Sequence, residues 1–299
     1  MKWILILGVV MIAGLFFWFN VNKNVVKEHR SENYSKIKKG KDDKEKKNKQ
    51  ITDVQIISKW DLPSELKEVS GIAYINDKQF ACVQDEQGII FIYNTSSGEI
   101  EKKINFHGPG DYEGIALNGN TAYVLRADGN IFEVNLNADK TTTKEHKTAL
   151  TVKHNVEGLC LDKKNNRLLL AIKNDEPGGQ DYKGIYGFDL ASKTMASDPV
   201  IKIDLAHEML GDKKGKKKST VRPSALNIHP LTNEIYIVDG PGSKLMIMDE
   251  AGNIKKYFTL GKDFAQPEGI SFSPAGEIFI SNEGTKEPGN ILQIQLNQQ

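Results

Sequence analysis

Five short segments recur along the chain: Val69-Ser70-Gly71-Ile72-Ala73, Tyr112-Glu113-Gly114-Ile115-Ala116, Val156-Glu157-Gly158-Leu159-Cys160, Pro223-Ser224-Ala225-Leu226-Asn227 and Pro267-Glu268-Gly269-Ile270-Ser271. The steps between their Gly or Ala landmarks are 43, 44, 67 and 44 residues. A period of that length, filled with short β-type runs and turn residues, is the period of one propeller blade. The long step exceeds it by about 23 residues, too few for a further four-stranded blade. An all-β, five-bladed β-propeller with one insertion is therefore predicted, with six blades as the alternative.

Each unit divides alike. An apolar strand follows the landmark, and a second strand comes next at Phe80 to Val83, Thr121 to Leu125, Leu168 to Ile172, Glu234 to Val238 and Glu277 to Ser281. Third strands at Gly88 to Tyr93, Asn130 to Asn135, Gly184 to Asp189 and Lys244 to Asp249 follow Gly-, Asn- or Asp-containing turns, as hairpins require. After Gly269 only 30 residues remain, enough for three strands ending at Ile291 to Leu296. The missing outer strand is assigned to Asp53 to Trp60, which would pair the two chain ends in one blade and close the circle.

Ahead of the propeller the composition changes. Trp3 to Phe19 is a run of 17 apolar or Gly residues, at the short end for a spanning helix. No small-residue cleavage signature and no Cys follows it, so an uncleaved membrane anchor over residues 1–22 is expected, with a cleaved signal peptide as the alternative. Residues 23–50 hold 11 Lys or Arg against 5 Asp or Glu, net +6, with little apolar periodicity: a disordered Lys-rich tether. With Lys2 also removed from the chain total of +1, residues 51–299 carry about −6. That asymmetry suits a tether against anionic headgroups and an acidic domain held off them. An acidic domain without basic motifs also argues against nucleic acid as a partner. Flanking charge alone favours a cytoplasmic domain, whereas a short amino-terminal flank is compatible with export, and the expected location is a bacterial inner membrane with the propeller on the periplasmic side. Cys82 and Cys160 fall in strands of different blades and are expected as buried free thiols. The insertion reads as a short helical turn over Ile203 to Leu210 and a basic loop at 211–218, a surface excursion or a partner contact.

Chemistry is expected at the axis. The residue before each landmark is Ser70, Glu113, Glu157, Ser224 or Glu268, and in a radial arrangement these five face one another. Carboxylates crowded in a poorly solvated channel repel, and a hard cation relieves them. Ca²⁺ takes about 6 to 8 oxygen ligands. Glu113, Glu157 and Glu268 are the candidate ligands, with Ser70 and Ser224 nearby; the alternative is that the Glu side chains cap backbone N–H groups between blades. The ends of the second strands supply a second ring, Gln84, Arg126, Lys173, Asp239 and Asn282, with Asp85, Asp128, Asn174 and Glu283 adjacent. This is the candidate mouth for a polar small-molecule or protein ligand; ordinary turn chemistry is the alternative. No Gly-x-Ser-x-Gly elbow, His-Glu-x-x-His or phosphate loop occurs, and the six His residues do not repeat with the blades. His154 could approach the axis.

The runs Glu68-Val69-Ser70-Gly71-Ile72-Ala73, Asp111-Tyr112-Glu113-Gly114-Ile115-Ala116, Asn155-Val156-Glu157-Gly158-Leu159 and Gln266-Pro267-Glu268-Gly269-Ile270 resemble the SdiA-regulated (YjiK-like) family of bacterial proteins over about residues 55–296. The resemblance implies a five-bladed propeller behind an amino-terminal membrane segment, a calcium site and distant kinship to NHL-repeat proteins, and it implies no established activity. The chain departs from the family pattern at Ala225 and in the Lys-rich insertion. Two functions follow: a membrane-anchored, calcium-using module that binds a ligand or protein, and a calcium-assisted hydrolase of a phosphoester or lactone on the propeller face.

Overall fold

The computed structural model describes residues 53–136, 141–176, 179–210 and 220–297. Among these the chain forms five antiparallel sheets and only two short 3₁₀ turns, an all-β five-bladed propeller. The expected anchor at Trp3 to Phe19, the tether at 23–50 and the basic loop at 211–218 lie outside the described residues. Among the described residues no helix is long and apolar enough to cross a membrane.

Blade I is β2 (Val69–Asn76), β3 (Gln79–Gln84), β4 (Ile89–Asn94) and β5 (Glu99–Asn105). Blade II is β6 (Tyr112–Asn118), β7 (Thr121–Arg126), β8 (Ile131–Asn135) and β9 (Thr143–His146). Blade III is β10 (Val156–Asp162), β11 (Arg167–Ile172) and β12 (Tyr182–Asp189), edged by β13 (Thr194–Met195) and β14 (Ile201–Asp204). Blade IV is β15 (Pro223–Ile228), β16 (Ile235–Asp239), β17 (Lys244–Met248) and β18 (Ile254–Thr259). Blade V is β19 (Pro267–Phe272), β20 (Ile278–Asn282) and β21 (Asn290–Leu296), completed by β1 (Val54–Asp61). The five inner strands β2, β6, β10, β15 and β19 pack against their neighbours in cyclic order, so they surround the axis.

The chain ends close the ring as the strand count predicts. β1 lies antiparallel to β21, from Val54 opposite Leu296 to Asp61 opposite Asn290. The core is divided accordingly, with one apolar cluster at each of the five blade interfaces. The interface of blades V and I carries the most aromatic surface: Phe80 and Phe279 meet edge-on at 5.0 Å between centroids, and Tyr74 stacks on Phe279 at 5.8 Å. Fully burying one such side chain is worth about 1.5–3 kcal/mol.

The insertion is organised differently from the expected helical turn. Ile201 and Ile203 alternate buried with exposed neighbours and form β14, which pairs with Tyr182–Ile185, while β13 covers the other end of β12. Only Glu208–Leu210 is helical. The alternation Ile201, Ile203, Leu205 is short and follows directly on Val200, which blurs its period in sequence, and the open half of the β12 edge decides it. Cys82 and Cys160 are buried and free, and burial pushes both thiols up, which leaves them inert.

Candidate functional site

A β-bulge occurs at the same place in all five inner strands. Register slips between Val69 and Gly71, Tyr112 and Gly114, Val156 and Gly158, Pro223 and Ala225, and Pro267 and Gly269. The residue skipped is in each case the one before the landmark: Ser70, Glu113, Glu157, Ser224 or Glu268. A bulge re-aims the side chain it carries, so the sequence ring corresponds to five bulges at one end of the axis. The landmark glycines permit the close approach of neighbouring inner strands. A Cβ on Gly71 would lie 3.0 Å from the Gly114 Cα, and one on Gly158 would lie 2.5 Å from the Leu226 Cδ2.

Serine and glutamate bulges behave differently. The Ser70 hydroxyl donates to the Tyr112 carbonyl at 2.6 Å, and the Ser224 hydroxyl donates to the Pro267 carbonyl at 2.8 Å. Each therefore ties its blade to the next one, at the residue just ahead of that blade's own bulge. Both serines are buried.

The three glutamates share a largely desolvated space with one lysine. Burial is the main force raising the Glu113 carboxyl far above its ordinary range, with Glu157, Asp111 and Glu268 adding repulsion. Burial also pushes Glu157 up, opposed by Lys173, and brings Glu268 to about 7. The Lys173 Nζ lies 2.7 Å from the Glu157 Oε2, a charge contact in which that oxygen accepts no aligned hydrogen bond. Asn155 Nδ2 donates to the other oxygen, Oε1, at 2.7 Å. Burial disfavours the ammonium of Lys173, yet Glu157, Glu268 and Glu113 hold it above its ordinary value.

The second-strand ends lie at the same mouth, since Val69 pairs with Gln84, Tyr112 with Arg126, Pro223 with Asp239 and Pro267 with Asn282. In blade III the matching residue is Ile172, opposite Val156, and the expected Lys173 stands one residue further, level with Asp85 and Glu283. Several of them are occupied in their own turns. The Gln84 side-chain oxygen accepts from the backbone N–H groups of Glu86 and Gln87. Arg126 pairs with Asp128 and Glu145 and lies over Phe132, within blade II. Asn174 donates to the Lys153 carbonyl, Asp239 accepts from Gly242 N–H, and the Asn282 amide donates to Asn290. Lys173 is directed to Glu157, Glu283 accepts from the Gln266 amide, and Asp85 is repelled by Glu68 and Glu283. Burial, then Glu68, Glu283 and Glu86, push the Asp85 carboxyl up to about 6, and its Oδ1 is buried without a donor. Glu283 is raised as well, by burial and by Glu68.

Glu68 and Asp111 were not among the sequence candidates. Both stand two residues before a bulge, as do Asn155, Arg222 and Gln266, so a period-2 step back from each bulge residue identifies a third polar ring. His154 does not reach the ring chemistry; its Nδ1 is engaged by Thr151. A separate cavity of about 530 Å³ opens at the opposite end of the axis, floored by Tyr74, Leu117, Leu161, Ile228 and Phe272, each three residues past its landmark.

The arrangement does not fit calcium as it stands. Ser70 and Ser224 direct their hydroxyl protons to carbonyls, and Lys173 already contacts Glu157. Among the described residues no three His, Cys, Asp or Glu side chains converge on a point that could hold a metal ion. What the ring offers is a desolvated acidic surface with one internal cation.

The SdiA-regulated family model matches residues 45–286. Among solved structures, the glutaminyl cyclase of Myxococcus xanthus is similar with a TM-score of 0.60 and 15% identity, over 82% of this chain and 96% of that one. A structural-genomics protein of unknown function from Bacteroides thetaiotaomicron is similar with a TM-score of 0.52 and 14% identity, over 77% of this chain and 58% of that one. At these identities the likeness is one of fold. The sequence matches no curated protein.

Proposed function

The chain belongs to the SdiA-regulated family, and on that premise we propose that it is a membrane-tethered, non-enzymatic module that receives a cationic group of a ligand or protein partner at the bulged mouth of its axis. The observation that carries this reading is the surplus of carboxyls there, of which Glu113, Glu268, Asp85 and Glu283 are pushed up by burial. Glu113 and Glu268 at the ring, with Asp111, Glu68, Asp85 and Glu283 around it, repel one another across blades V, I and II. Lys173 makes its contact on the blade III side, with Glu157, and offsets the burial and repulsion at Glu268 only in part. A ligand ammonium or guanidinium placed against this surface would be attracted by every one of these groups and would restore the carboxylates to their ionised form.

The rest of the chain fits a tethered module. The apolar run Trp3 to Phe19 supplies the anchor, and the net +6 segment at 23–50 lies between it and the acidic propeller. We place the propeller on the extracytoplasmic side of a bacterial inner membrane. A hydrolase at this mouth would need a base beside a nucleophile. The only His that sequence brings near, His154, is bonded to Thr151, and both thiols are buried.

Anisotropy with a labelled oligolysine peptide, and with oligoglutamate as control, tests the binding surface. The full chain should bind oligolysine, and Glu113→Gln or Glu268→Gln should weaken it about tenfold, the value of one charge-assisted contact near 1.4 kcal/mol. Unchanged affinity in both variants would remove the proposal. Turnover of a phosphoester or lactone panel that vanishes in the same variants would replace it with the hydrolase.

A further inference from the structure

Two lysines form one device on blade III. Lys173 follows β11 and directs its Nζ to Glu157, 2.7 Å away, on the neighbouring inner strand of the same blade. Lys183, on β12, is 1% exposed, and its Nζ donates to the carbonyl of Lys173 at 3.3 Å and to that of Asn174. The buried lysine thus holds the backbone from which the other one projects. A fully buried lysine costs free energy unless its hydrogens are used, and here they are used on the two peptide groups that aim Lys173.

We propose that Lys173 is a tethered counter-cation that stands in the glutamate ring where the family resemblance implies a metal ion, and that Lys183 is its positioning residue. Lys173 touches the Glu157 carboxylate, and the charges of Glu268 and Glu113 also favour its ammonium form. A cation borne on the chain needs no free ion and gives up no solution entropy of its own on arrival. It also repels a second cation brought close to Glu157. While Lys173 is in place the Glu157 corner of the ring is therefore closed to Ca²⁺, and removing the ammonium frees that carboxylate for a cation. The same reasoning accounts for the serines at the other two bulges. With the cation supplied by blade III, blades I and IV need not contribute ligands, and their hydroxyls are free to bond the next blade. This inference rests on the ring geometry, and its test uses a metal alone, so that it can fail while oligolysine binding stands.

The experiment is calorimetric titration of the full chain in detergent with CaCl₂, alongside thermal unfolding with and without the metal. The wild-type protein should give no binding heat and no shift in midpoint. Lys173→Met should bind Ca²⁺ in the range of a few-ligand site, about 10⁻⁴–10⁻³ M, and its midpoint should rise with metal. Lys173→Met combined with Glu157→Gln should lose both effects, and Lys183→Met should acquire weak binding by freeing the Lys173 backbone. Saturable Ca²⁺ binding by the wild-type protein that stabilises it overturns the proposal, as does a folded Lys173→Met protein that takes up no metal. If Lys173→Met does not fold, the wild-type titration decides by itself.

Discussion

Ser70 and Ser224 occupy the same bulge as the three glutamates and do different work. Each hydroxyl is buried and bonds a carbonyl of the following blade, Tyr112 for one and Pro267 for the other. Alanine at either position fits the space and leaves that carbonyl without its donor. Ser70→Ala and Ser224→Ala should each cost about 1–3 kcal/mol, read as a lower denaturation midpoint with an unchanged slope. The glutamates predict a pH dependence of unusual sign. Burial raises Glu268 from its ordinary 4.5 to about 7, so the folded state holds this proton more tightly than the unfolded chain. The stability linked to it is fully present below pH 4.5 and is lost as pH rises through about 7. Glu113 is displaced in the same direction. Urea midpoints measured between pH 5 and 8 should fall with rising pH, and Glu268→Gln should flatten the slope near neutrality. A wild-type midpoint that rises over that interval would show that these carboxyls are ionised in the fold.

At the scale of elements, β1 carries the closure. It pairs with β21 along seven residue pairs and contributes Val54 to the core between blades IV and V and Trp60 to that between V and I. Deleting Val54–Asp61 would expose the long edge of β21, Asn290–Leu296, and unpaired strand edges promote association. The deletion should lower the thermal midpoint and produce oligomers in size-exclusion chromatography. A monomer with an unchanged midpoint would mean that blade V is stable with three strands. This closure was legible in sequence because a count of strands after Gly269 came out one short. The bulges were legible only as a recurring Ser or Glu before Gly or Ala, since a register slip of one residue leaves no mark on apolar periodicity. β14 was legible only in part: Ile201, Ile203 and Leu205 alternate with Lys202 and Asp204, but the run is short and Val200 breaks its period, and the strand exists because the β12 edge beside it is open. The side chains at the bulged mouth were legible as a set and not as pairings. Gln84 and Arg126 are level with Ile172, and Lys173 stands one residue further along, level with Asp85 and Glu283; Gln84 caps a turn and Arg126 joins Asp128, because local partners two or three residues away outcompete the axis.

For the molecule as a whole, net charge and buried charge make separable contributions to binding. Residues 51–299 carry about −6, and most of those charges lie on exposed surface, where salt screens them over about 8 Å at 0.15 M. The ring carboxyls are desolvated, so screening reaches them weakly. Long-range attraction governs how fast a cationic partner arrives, and contact with desolvated groups governs how long it stays. Stopped-flow association of oligolysine should therefore slow as NaCl rises from about 50 to 500 mM, while its dissociation changes little. Glu113→Gln and Glu268→Gln should do the reverse, leaving association near the wild-type rate and speeding dissociation, with most of the affinity loss in koff. If both variants act on association alone, the partner touches only the outer acidic surface, and the five bulges serve the propeller's architecture rather than its binding.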